Sequence, residues 1–179
     1  MSAVGEQNLS VLLGAVASPS DAPAAGLVAA VVCAEAAALL ELTATLAASR
    51  LDDGEPMRLI AERAGSFRSA SMAAAELETT AYPEAIAAGD MGLATDAPLA
   101  IAETAAQVAE GAADVAGAGR WPFTPDAVAA VLLAESAASV ASLIVAANLN
   151  GMTDDPRLAR ASAALTSASA ARVKVEVDR

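Results

Sequence analysis

Few side chains in this chain are suited to catalysis. Its 179 residues include no histidine, one tyrosine, one cysteine and one lysine, against 22 Asp and Glu. The missing histidine excludes His-dependent triads, His metal sites and helical Glu-x-x-His di-metal motifs in one step. Proton chemistry falls to carboxylates, Tyr82, Cys33, Lys174 or the chain terminus.

Among the carboxylates, Glu35, Glu41 and Glu135 stand alone in apolar stretches. Two of them could meet in a pocket as acid and base, or each could sit on a solvent-facing edge or pair with an arginine. Spacing fixes no meeting in space, so the second reading is favoured. Asp126 follows Thr124-Pro125 at a helix start. A carboxylate there either serves the positive helix end or acts as a general acid or base. Trp121 and Phe123, just before it, offer flat surface for stacking a ring or for closing one end of a core. Tyr82 is either a pocket hydroxyl or a packing residue, and Asn148 caps a helix end. Arg50 and Arg120 could attract a carboxylate ligand, although isolated surface arginines are the ordinary case.

The elements that must position these residues read as helices. Pro23 to Arg50 is an Ala-rich segment with Val28, Val31, Val32, Leu39, Leu42 and Leu46 at helical spacing. Pro125 to Asn148 is a second such segment, with Glu135 its only charge after the first turn, stopped by Asn150-Gly151. Between them, Pro56 opens a helix expected to end near Thr80. Gly89-Asp90-Met91-Gly92 is a break, and Asp96 caps a helix to about Val115. A short amphipathic helix over Glu6–Ala17 precedes these, and Asp154-Asp155-Pro156 starts a last one. Residues 173–179 are expected to be a frayed tail. The fold expected is an all-α, up-and-down helical bundle built on two apolar rods, forming a single domain over residues 1–179.

Lipid is the minority alternative for those rods, because an acidic residue near mid-span costs roughly 2.5–3.5 kcal/mol on insertion. Hydrophobic residues make up 56% of the chain but aromatics only 2%, so most of the apolar count is Ala. Ala buries little area per residue, which favours a homodimer in which the rods are covered on more sides. A formal net charge of -12 argues against nucleic acid and against anionic membrane surfaces. Cys33, in the middle of the first rod, reads as a buried thiol in a reducing compartment. With no signal-peptide pattern at the N-terminus, the expected location is the cytoplasm.

The order of segments resembles the formiminotransferase-cyclodeaminase and methenyltetrahydrofolate cyclohydrolase family. Pro23-Ala24-Ala25-Gly26-Leu27-Val28-Ala29-Ala30 falls where that family has a Pro-Gly-Gly-Gly-Ser loop and an Ala-rich helix. Thr95-Asp96-Ala97-Pro98-Leu99 matches its acidic and Pro-Leu helix start. Thr124-Pro125-Asp126-Ala127-Val128-Ala129 echoes its Ser-Asp-Ala-Gly-Val-Ala segment. Ala147-Asn148-Leu149-Asn150-Gly151-Met152-Thr153-Asp154 echoes its Ile-Asn-Leu-x-Gly-Leu-x-Asp end. The resemblance implies a helical homodimer acting on one-carbon tetrahydrofolate without metal. It implies Asp126 as the catalytic residue, and Pro23, Ala24, Ala25, Gly26, Tyr82, Trp121 and Asn148 as substrate contacts. Ala24 and Ala25 replace two loop glycines, and Asp126 falls one residue late. The alternative is therefore a catalytically lapsed helical dimer that binds a protein or another small molecule.

Overall fold

The computed structural model describes residues 8–19 and 24–177. Pro23 and Glu6 lie outside the described residues. Helix α1 is Leu9–Val16, α2 is Ala25–Ala48 and α3 is Glu55–Ala88. A 3-10 turn at Met91–Ala94 leads to α4, Asp96–Gly117, then α5, Thr124–Asn148, and α6, Pro156–Val177. No strand occurs among the described residues, and the all-α bundle expected from periodicity is what forms.

Alanine dictates how these helices meet. On α2, Ala29, Ala30, Ala36, Ala37, Ala44 and Ala47 are buried, and α5 buries Ala127, Ala130, Ala134, Ala137, Ala138 and Ala141. Such small side chains let helix axes approach to roughly 8 Å, where backbone atoms supply much of the contact. Larger residues fill the seams: Leu40, Ile101, Val108, Val115 and Val131 are almost fully buried.

The polar residues enclosed in the core among those described, Thr43, Ser71 and Thr95, are all bonded. The Thr43 hydroxyl donates to the Leu39 carbonyl at 2.8 Å. Ser71 of α3 lies 3.2 Å from the Cys33 sulfur of α2 and 2.9 Å from the Phe67 carbonyl. Burial pushes the Cys33 thiol up to about 11, which leaves it protonated and unreactive, as a structural thiol would be.

Successive helices alternate in direction. Leu40 of α2 packs at Gly111 of α4, Arg50 lies over the Phe123 ring before α5, and Glu103 and Asp114 of α4 pair with Arg160 and Lys174 of α6. Thus α2, α4 and α6 run one way while α3 and α5 run the other. Helices α2 and α5 are each long and apolar enough to cross a membrane by length and composition. In the fold each turns one side to the core and leaves the other uncovered. Val28 and Leu42 on α2, and Leu132, Val140 and Leu143 on α5, remain exposed.

Two boundaries differ from the periodicity reading. Helix α3 does not stop near Thr80 but continues through Pro83 to Ala88. Proline removes one helix hydrogen bond, yet Ala85 beyond it is fully buried, and Gly89, at φ 68°, closes the helix with its N–H on Ala85 and Ile86 carbonyls. Packing and a left-handed cap hold what local propensity would have ended. Residues 173–177 are likewise helical, because Val175 is buried in the core and Lys174 reaches Asp114 at 2.8 Å.

The α2–α3 connection is tight. Asp53 accepts the Glu55 N–H at 3.1 Å, Pro56 stands in the first turn of α3, and a side chain at Gly54 would collide with the Ala48 carbonyl. A backbone oxygen cannot swing aside as a side chain can. Gly54→Ala is expected to destabilise the fold by about 1–3 kcal/mol, seen as a lower urea midpoint at unchanged slope. An unaltered midpoint would show that this turn separates without cost.

Candidate functional site

The bundle sends the residues of chemical interest to two ends. At the first end lie the start of α2, the last turns of α3, the 3-10 turn and the close of α5. At the second lie the end of α2, the start of α3 and the loop into α5. Since α2 has 24 residues, the ends are separated by about 36 Å at 1.5 Å per residue.

Ala24, Ala25, Gly26, Tyr82 and Asn148 belong to the first end. Ala24 precedes α2 without a side-chain cap, Ala25 is exposed and Gly26 is buried. What covers Gly26 is the carboxyl of Glu78, reaching across from α3. Its Oε2 occupies the place where a Cβ on Gly26 would stand. Oε1 is buried with no hydrogen-bond partner. Burial without a compensating cation pushes the Glu78 carboxyl up to about 7. Tyr82, half-buried, stands one helical turn further along α3. Asn148 donates from Nδ2 to the Ala94 carbonyl at 2.7 Å, joining the end of α5 to the 3-10 turn. It is thus a brace between elements as well as a helix-end residue.

Trp121 and Asp126 belong to the second end. Trp121 stacks on Phe123 with centroids 5.1 Å apart and planes at 18°, and the Arg50 guanidinium lies 5.3 Å from the Phe123 ring. The Trp121 N–H is held by the Thr124 hydroxyl at 2.9 Å, so Thr124 ties the loop from inside the first turn of α5. Asp126, in that turn, is exposed, and its carboxylate has no side-chain partner among the described residues. One chain therefore brings Gly26 near Glu78 and Trp121 near Asp126, and keeps the two groups apart.

The three lone glutamates do not meet. Glu41 pairs with Arg68 at 3.0 Å, Glu135 lies 3.4 Å from Arg172 and accepts from Ser169, and Glu35 is exposed. Two hollows open on the surface. The larger, about 440 Å³, lies between α5 and α6 and is lined mainly by Val140, Leu143, Leu158, Leu165 and serines. The smaller, about 100 Å³, lies among α2, α3 and α4. Neither includes a residue expected in the site.

Residues 90–167 match the family profile described as formiminotransferase-cyclodeaminase. The fold matches the crystal structure of formiminotetrahydrofolate cyclodeaminase from Thermotoga maritima with a TM-score of 0.86, covering 97% of this chain and 96% of that one. The chain is thus similar to the formiminotransferase-cyclodeaminase family over residues 90–167 and shares its fold with one cyclodeaminase over nearly its whole length. Identity to that structure is 19%, so what the superposition itself shows is the shared fold. No curated protein matches the sequence.

Within this cyclodeaminase fold, Glu78 is the residue that sequence reading missed. Its one signal is the position of Glu78 and Tyr82 four residues apart, which sets them on one face of α3. Arg157 was also passed over. It binds Asp155 at 2.8 Å, Asp96 at 3.0 Å and the Gly92 carbonyl at 3.0 Å, fastening α6 to the first end. Hydrogen bonds from Arg157 hold the Asp155 carboxyl down at about 2.

The raised carboxyl makes stability depend on pH. Glu78 titrates near 4.5 unfolded and about 7 folded, so the folded state keeps the proton longer and stability declines as pH rises from 4.5 to 7. Discounted for its partial solvent screening, the penalty above pH 7 is about 1–2 kcal/mol. Glu78→Gln is expected to remove that decline and to melt roughly 3–6 °C above the parent at pH 8, with little difference at pH 4. Parallel melting curves at both pH values would refute the assignment.

Proposed function

We propose that this chain works as a homodimer that opens or closes the one-carbon bridge on tetrahydrofolate, a cyclodeaminase or cyclohydrolase reaction at a carbon–nitrogen bond. What carries the reading is the cyclodeaminase profile match over residues 90–167 and the shared fold, joined to the division of the site between two ends. A copy related by a twofold axis across the rods would set the Asp126 end of one chain beside the Gly26 end of the other. The exposed stripe of Val28, Leu42, Leu132, Val140 and Leu143 supports α2 and α5 as the contact. An isologous interface of this kind covers the same residues on both copies.

In such a site water adds to the bridging carbon while Asp126 takes its proton. The carbon–nitrogen bond then breaks as the leaving nitrogen receives a proton. General base and acid help of this kind supplies roughly 10²- to 10⁴-fold in rate. Trp121 offers its ring face for stacking. Tyr82 and the α2 start, including Ala24, Ala25 and Gly26, shape the opposite wall. Ten Lys and Arg against 22 Asp and Glu support a small-molecule substrate rather than a nucleic-acid or anionic-membrane partner, and the cytoplasm is proposed as its location.

A second reading is favoured by one feature: among the described residues, no side chain orients Asp126 within the single chain. A lapsed dimer that binds a protein or another ligand would keep the fold and lose the turnover.

Calorimetry with tetrahydrofolate and its methenyl form separates these. The enzyme reading expects heat at sub-millimolar ligand, and Asp126→Asn should lower turnover at least 100-fold with an unchanged melting temperature. Absence of binding removes the folate reading, and normal turnover in the variant removes the role of Asp126. For the interface, Leu42→Glu combined with Leu143→Glu should convert a dimer to a monomer in sedimentation at micromolar concentration. A parent that sediments as a monomer contradicts the dimer.

A further inference from the structure

The Glu78 carboxyl differs from the paired carboxylates described above, and from the exposed Asp126 and Glu35 in being partly buried. Glu41, Glu55, Glu103, Asp114, Glu135 and Asp155 all have a basic partner. Glu78 has none, and it keeps one oxygen buried and unbonded. Such an acceptor costs free energy unless something supplies a donor.

Among the described residues, no basic side chain pairs with it. On α2, the first charged side chain beyond Gly26 is the exposed Glu35. On α3, Glu76 and Glu84 flank it and Tyr82 lies one turn on. At the junction into α4, Asp90 accepts the Gly92 N–H and Asp96 is taken by Arg157. Within the described residues, then, the carboxyl has no basic partner, and a bound ligand is one source of the missing donor.

The neighbouring glycine narrows the class of partner. Without a Cβ at Gly26, the carboxyl rests directly against α2 backbone, which fixes the plane of its two oxygens. A planar cation with N–H donors and weak hydration matches such a carboxylate better than a compact ammonium. Resting on the folate reading above, we propose that Glu78, seated on Gly26, recognises an amidinium group, the N–C–N unit of a one-carbon-bridged substrate. Binding such a cation favours the ionised carboxylate, so the proton held by Glu78 passes to the buffer as the ligand enters. A carboxyl already raised to about 7 makes that release measurable near pH 6.

The test uses formamidinium chloride and the full chain. Calorimetry at pH 6 in two buffers of different ionisation enthalpy should show saturable binding with close to one proton released. The release should vanish at pH 9. Glu78→Gln is expected to weaken binding at least tenfold and abolish the release while the protein stays folded. Gly26→Ala, whose methyl displaces the carboxyl, should weaken binding similarly. Equal affinity in Glu78→Gln, or binding by the parent with no proton released at pH 6, overturns the proposal. So does failure of the parent to bind formamidinium. Wild-type folate turnover in Glu78→Gln also overturns it and leaves the proposed activity standing. Glu78-dependent formamidinium binding in a chain that turns over no folate keeps this assignment and removes the activity.

Discussion

Close approach of alanine-faced helices is the constraint on which this structure depends. Ala30, Ala36, Ala37 and Ala44 on α2, and Ala130, Ala134, Ala138 and Ala141 on α5, are fully enclosed. Each removes little apolar surface from water, so stability comes from many short contacts made at once. The same closeness leaves little room for larger groups: at Gly111, a Cβ would already stand 3.2 Å from a Leu40 methyl. Where a polar group does enter, as at Thr43, it bonds to carbonyls of its own helix. A thin core of this kind also leaves one side of each rod uncovered.

Charge is handled at the surface in an ordered way. Helices α4 and α6 run parallel and face each other with acidic residues on one and basic or hydroxyl residues on the other. Glu103 meets Arg160, Glu110 accepts from Ser167, and Asp114 meets Lys174. Each exposed pair contributes little by itself. Their repetition along the seam specifies one register of α6, in a helix whose apolar residues alone would tolerate slippage. Arg157 adds the anchor at the start of that helix.

The chemistry of the molecule gathers at the ends of the rods because their sides are committed to packing. Gly26 with Glu78 at one end, and Trp121 with Asp126 at the other, are places where a helix begins and side chains are released from the core. A carboxyl held over backbone without a counter-charge and a carboxylate left open at a first turn are different devices. The first is tuned by desolvation, and the second stands open to water.

Residue types alone determined much of this protein. Alanine and leucine spacing marked both rods, Gly and Pro marked the breaks, and the absence of histidine excluded whole classes of chemistry. The order of the four motifs pointed to the family whose profile matches residues 90–167. These properties are local, or depend only on sequence order. Only the tertiary structure decided that α3 passes through Pro83, that residues 173–177 are held, and that Asp126 is far from Gly26. Only there does Glu78 acquire its buried, unpartnered oxygen. Those outcomes depend on which surfaces meet across tens of residues, where packing overrides local propensity and burial sets the charge of a group.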